Sequence, residues 1–130
     1  MFNATNIKSA DSLLAEQLAQ AKSAKIAQIN AERDVNIAAG VTYDGNEYQT
    51  DEASIADLAQ ATQMATINNA SSVNWLTQDN TVITLTLTKL KALANAVFLL
   101  KTTEIYAARL RKDAVNAAKT TEEIESIEGA

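Results

Sequence analysis

The side chains of this 130-residue chain that could do acid–base chemistry are its carboxylates. Glu32, Asp34, Asp51, Glu104 and Asp113 each fall on a predicted helix or its cap. Each has a simpler role there, as solvated charge, N-cap, or helical neighbour of a base such as Arg33, Arg109 or Lys112. Nothing in the sequence sets a perturbing partner beside any of them, so none reads as catalytic. There is no His, which removes the commonest general acid–base near neutral pH and the commonest zinc ligand. There is no Cys, so neither disulfides nor thiolate chemistry are available. Asp44-Gly45-Asn46-Glu47 and Gln78-Asp79-Asn80 have the residue types of a calcium loop, but not its ligand spacing or its bidentate Glu. Turn formation explains both, because Asp and Asn bond their own backbone there. No glycine-rich phosphate loop and no nucleophile elbow is present. The expectation is a non-enzymatic protein with no cofactor and no metal site.

Charge and hydropathy narrow the partners. The net charge is −5, and the one dense basic run, Arg109 to Lys112, is followed at once by Asp113. A net acidic surface repels phosphate backbones, so no nucleic-acid partner is expected. The longest apolar stretch, Leu93 to Leu100, is far too short to span a bilayer, so no membrane role is expected. The first residues, Met1 to Lys8, lack the basic and apolar regions of a signal peptide. Synthesis and folding in a cytoplasm follow as the default expectation.

The elements that must position these groups read as mainly α with two small β-hairpins, an α+β arrangement. Hydrophobic residues make up 47% of the chain, but many are Ala and aromatics are only 5%, so the core should be thin. No Pro and three Gly favour long helices. A long first helix starts near Ser9 or Asp11 and runs to Ala39, with Gly40 as the glycine after its end. Its apolar stripe is Leu14, Leu18, Ile26, Ile29 and Ile37. Asp44-Gly45 signals a hairpin, and whether its two-residue loop is Asp44-Gly45 or Gly45-Asn46, Val41, Tyr43 and Tyr48 share one face, expected to be buried. Asp51 caps a second helix, about Glu52 to Asn69, with Ile55, Leu58, Ala61, Ala65 and Met64 or Ile67 facing inward. A second hairpin joins Val73–Thr77 to Thr81–Thr86 through Gln78-Asp79-Asn80. Thr86 caps a long core helix reaching about Ala118, whose inward residues are Leu87, Leu90, Leu93, Val97, Leu100 and Ile105. Thr120-Thr121-Glu122-Glu123 is a capping box, with Glu123 reaching back to the Thr120 amide, and it opens a short last helix carrying Ile124 and Ile127.

Two features have competing readings. Trp75, Tyr43 and Tyr48 suit either a recognition platform or the anchors of small hairpins, and scarce aromatics on strands favour the core. The stripe Leu14, Leu18, Ile26 and Ile29 suits either intramolecular packing or attachment. Here attachment is the stronger expectation, because the first helix outruns the rest of the fold.

Taken in order, the signals are Ile29-Asn30-Ala31-Glu32-Arg33-Asp34, Gly40-Val41-Thr42-Tyr43-Asp44-Gly45 and Tyr48-Gln49-Thr50-Asp51. Then come Trp75, Asp79-Asn80, Leu85-Thr86, Ala107-Ala108-Arg109, Ala117-Ala118 and Thr120-Thr121-Glu122-Glu123-Ile124. This set resembles an uncharacterised domain of bacteriophage and prophage tail-fibre and tail-fibre-associated proteins, over about Lys25 to Glu128. The resemblance implies a place in the virion tail, with fibre or baseplate proteins as partners, and carries over no catalytic residues. It makes residues 25–130 the tail-fibre-associated helical domain and residues 1–24 a helical extension for attachment or oligomerisation. Because tail fibres are commonly trimeric, it also makes a homotrimer the first guess. The expected function is therefore a structural or adaptor component of a phage tail. The rival is a tail-fibre assembly chaperone absent from the mature virion. A hydrolase acting on the host surface is disfavoured by the missing His, Cys and paired acids.

These expectations have a direct test. A chain shortened to start near Lys25, and a Leu14→Asp, Leu18→Asp variant of the full chain, should both fold yet lose self-association in sedimentation. If both assemble like the wild type, the first helix is only a solvated extension.

Overall fold

Helix α1 (Ala10–Ile37) begins where the Ser9 hydroxyl accepts the Ser12 amide at 3.1 Å, a side-chain cap on an otherwise unpaired donor. The structure is a computed structural model, and it describes residues 9–128, so the first eight residues of the expected N-terminal extension lie outside it. The chain forms mainly helix with two small antiparallel strand pairs. It divides into two compact units. One takes in the described residues up to Glu32 and from Ala107 onward, and the other is Arg33–Tyr106.

The Arg33–Tyr106 unit starts at the last turns of α1. Gly40 holds φ +101°, and a Cβ there would stand 3.1 Å from the Tyr48 carbonyl oxygen, so both backbone conformation and space call for glycine. Strands β1 (Val41–Tyr43) and β2 (Asn46–Tyr48) follow, paired Val41 to Tyr48 and Tyr43 to Asn46. Asp44 and Gly45 both take positive φ, 51° and 81°, which is the twist a two-residue hairpin turn needs. The expected face of Val41, Tyr43 and Tyr48 packs on the core, with Tyr48 only 1% exposed.

Asp51 caps helix α2 (Glu52–Ile67), its carboxylate accepting the Ser54 amide at 3.3 Å. The helix closes in a left-handed Asn69, with the Ala70 amide on the Ala65 carbonyl at 2.9 Å and the Asn69 amide on the Thr66 carbonyl at 3.3 Å. Leu58 and Ala65 are buried, with Ile55 packed on the same core. Met64 and Ile67 are exposed, against the expectation that one of them faces inward. At about 100° per residue, Ile67 lies half a turn from Leu58, on the opposite side of the helix.

Strands β3 (Ser72–Leu76) and β4 (Val82–Thr86) pair with Trp75 opposite Ile83 and Val73 opposite Leu85. These four face the core, and Thr84 bonds Asn74 across the other face at 2.9 Å. Thr86 then caps helix α3 (Leu87–Ala117) by accepting the Lys89 amide at 3.2 Å. Leu90, Leu93 and Val97 are buried at the centre of this unit. Ile105 is exposed, correcting its expected place in the core: it stands eight residues beyond Val97, about 80° off the buried line.

The other unit has a core of Ile29, Ala108 and Val115, with Ile26 and Ile127 packed against it. Ile29 is 0% exposed. Of the expected attachment stripe, Ile29 is thus sealed in the core of this unit and Ile26 lies half-buried against it. Three positions apart, they share one face of α1, and the small Ala108 lets α3 approach that face. Lys22 donates to the Asn116 carbonyl at 2.9 Å and Lys112 to the Asn30 side-chain oxygen at 3.0 Å. Thr120 caps α4 (Thr121–Glu125), accepting the Glu123 amide at 3.1 Å. The Glu123 carboxylate accepts the Lys119 amide at 2.7 Å, one residue beyond the Thr120 amide expected for it.

One buried hydroxyl joins three segments of the Arg33–Tyr106 unit. Thr50 is 0% exposed, donates to the Ile37 carbonyl at 2.6 Å and accepts the Gly40 amide at 2.8 Å. Thr50→Val keeps the shape and strands both backbone groups. It should cost about 1–3 kcal/mol in denaturant unfolding. An unchanged midpoint would show that water satisfies both groups once the hydroxyl is gone.

Candidate interaction site

The carboxylates do structural work where they stand. Asp34 pairs with Arg33 at 2.9 Å and Asp113 with Arg109 at 3.2 Å. Glu32 accepts from Gln28 at 3.0 Å, and Glu104 from Asn36 at 3.2 Å. Asp51 and Asp79 are held below the ordinary carboxylate range by hydrogen bonds, chiefly from Ser54 to Asp51 and from Thr77 to Asp79. Lys89 is raised by its bond to Asp44, 2.9 Å away. Burial pushes the Tyr48 phenol up, against a smaller lowering influence from the Asn46 side chain. Among the described residues, no group of three His, Cys, Asp or Glu is placed to hold a metal ion. No helix among them is long and apolar enough to cross a membrane.

Among the described residues, several large apolar side chains are left exposed. Of the expected attachment stripe on α1, Leu14 is 62% exposed and Leu18 half-buried, whereas Ile26 and Ile29 point into their own unit. The residues given structural roles, Gly40, Tyr43, Gly45, Tyr48, Asp51 and Trp75, all lie in the Arg33–Tyr106 unit. They form its corner, first hairpin, helix cap and core edge rather than one site.

Within the Arg33–Tyr106 unit, two surfaces stand out that the sequence reading did not single out. The first is the outer side of α3, where Phe98, Leu99, Ile105 and Tyr106 are exposed, Phe98 at 61% and Tyr106 at 66%. The signal for it was the run Phe98-Leu99-Leu100, since three consecutive helical residues span about 200° and cannot all face one core. The second is a groove of about 640 Å³ between α2 and β3, with Ala61, Met64 and Trp75 among its apolar walls and Asp57 its one charged residue. It joins residues some 20 positions apart in the chain and had no local signal.

The two depressed carboxylates give a pH dependence. Their folded values lie below the ordinary 3.8, so their stabilisation is complete above that value and is lost as pH falls through the lower folded value. An Asp51→Ala, Asp79→Ala variant should be less stable than wild type at neutral pH, with the gap closing below pH 3.8 in acid titrations of the unfolding midpoint. A gap that stays constant with pH would assign the loss to something other than the ionised carboxylates.

A family model described as a domain of unknown function, DUF4376, matches residues 20–128. Neither the curated proteins nor the solved structures give a match. The family match takes in both hairpins and helices α2, α3 and α4, and leaves Leu14 and Leu18 outside it. Since it spans most of the chain, the chain belongs to the DUF4376 family.

Proposed function

We propose that this chain is a non-enzymatic adaptor of a phage tail. It folds in the host cytoplasm and stays in the virion attached to fibre or baseplate proteins, as a homo-oligomer with a trimer the first arrangement to test. The observation that carries the adaptor reading is the exposed apolar row Phe98, Leu99, Ile105 and Tyr106 on one helix. Burying such side chains is worth roughly 1.5–3 kcal/mol each, so a partner that covers them gains affinity without any catalytic group. Contiguous apolar surface of this kind marks protein–protein contact sites. The lack of His and Cys fits the same reading. The tail location is supported by the sequence resemblance, chiefly Glu32-Arg33-Asp34, Gly40 to Gly45 and Gln49-Thr50-Asp51 in that order.

Mass spectrometry of purified particles from the phage or prophage that encodes the chain tests this reading. The wild-type chain should be present. A Phe98→Ser, Tyr106→Ser variant should fold normally and enter particles about tenfold less, or worse, given two lost burials. Equal incorporation would remove α3 from the interface. Absence of the wild-type chain from particles, with fibres failing to attach in its absence, would replace the reading with an assembly factor.

A further inference from the structure

We propose that the groove between β3 and α2 takes an extended, uncharged or basic segment of a partner protein as a third strand beside β3. The proposal stands on the Arg33–Tyr106 unit alone and does not depend on the outer side of α3 or on a phage setting.

β3 and β4 form a two-stranded sheet, so each has one edge with no strand against it, and the β3 edge stays open as far as Gln78, whose amide donates to the Glu47 carbonyl of β2 at 2.8 Å. The register shows which groups face that edge. At the turn, the Thr77 amide donates to the Thr81 carbonyl at 2.9 Å; at the other end, the Leu87 amide donates to the Ser71 carbonyl at 3.2 Å. Antiparallel pairs alternate between bonded and non-bonded. Val73 and Trp75 therefore turn their backbone groups toward β4, and Ser72, Asn74 and Leu76 turn theirs away from it. Among the described residues, no backbone bond ties Ser72, Asn74 or Leu76 to another segment. Natural edges are commonly blunted by charge or proline, and β3, Ser-Val-Asn-Trp-Leu, has neither.

The groove lies along this edge. Four consecutive residues, Asn74 to Thr77, line it. Alternate side chains of a strand point to opposite faces, so a groove above one face would meet every second residue; consecutive contact means it runs beside the strand. The opposite wall is one stripe of α2, Ser54, Asp57, Ala61 and Met64, at helical spacing. Its volume of about 640 Å³ is in the range of ligand sites, ~300–1,000 Å³. Strand addition of this kind draws affinity from main-chain bonds and selectivity from alternate side-chain pockets.

The walls state what the added strand carries. Ala61, Met64 and Trp75 favour an apolar residue at alternate positions. Asp57 is the only charged lining residue, so a facing Lys or Arg is attracted and a Glu or Asp repelled. A second copy does not fit this description, because its own β3 brings its own α2 wall. A bare extended segment does.

The probes are acetylated, amidated eight-residue peptides alternating Val or Ile with Thr, in three versions carrying a central Lys, Gln or Glu. They are added to the full chain while amide hydrogen exchange is read residue by residue. With the Lys peptide at about ten times its Kd, exchange at Ser72, Asn74 and Leu76 should slow by about tenfold, while Val73 and Trp75 stay as they were. The order of affinity should be Lys, then Gln, then Glu. Asp57 lies at an exposed helix position, so Asp57→Lys should leave the fold intact and reverse the order. No slowing with any peptide overturns the proposal, as does binding that leaves those three amides exchanging freely. Slowing that grows with protein concentration and needs no peptide overturns it in favour of a second copy.

Discussion

The Arg33–Tyr106 unit turns on the Thr50 hydroxyl. A helix end leaves carbonyls without partners, and a chain reversal beside it leaves an amide; buried, each is costly. Thr50 settles one of each, the Ile37 carbonyl and the Gly40 amide, from a position with no exposure. That fixes the end of α1 against the return of the first hairpin. The same closeness explains why a side chain at Gly40 would crowd the Tyr48 carbonyl. Asp51 follows directly and caps α2, so two adjacent residues end one helix's business and begin the next.

The second constraint is the scarcity of large side chains. Leu90, Leu93 and Val97 give α3 a firm buried line in the Arg33–Tyr106 unit, and Ala108 and Val115 give it another in the other unit. Between Val97 and Ala108 no residue of α3 is fully buried. There the half-buried Glu104 meets Asn36 through a hydrogen bond instead of apolar packing. Alanine-rich helices close well but bury little area, so stability gathers where a few Leu, Ile and Val coincide.

What the sequence made legible was local. The caps at Ser9, Asp51, Thr86 and Thr120 are short-range chemistry between a side chain and an amide three residues on. The Asp44-Gly45 turn is equally local, because its two positive φ angles are a property of two residues. What the sequence hid was relational. Leu14 and Ile29 look alike on a helical wheel, yet one is open and the other sealed, because only Ile29 meets Ala108 and Val115. Met64, Ile67 and Ile105 failed as core residues for the same reason: a narrow stripe has an uncertain centre, and an error of 80° or more moves a side chain to the surface. The groove beside β3 has no signature along the chain, since its walls come from separate elements.

The groups left open bear on what the chain does. Several of its acids are engaged as caps, turn acceptors or partners of neighbouring bases, as Asp51, Asp79, Asp34 and Asp113 show. A catalytic carboxylate works by being held at a value its task requires, and here the two shifted acids are stabilised in the charged form by their own turns. The open groups are of another kind: apolar side chains on the outer side of α3, and a strand edge with backbone donors and acceptors. Neither changes protonation near neutral pH, and neither needs a cofactor to act. Both gain free energy only when another chain covers them, one through apolar burial and the other through main-chain pairing.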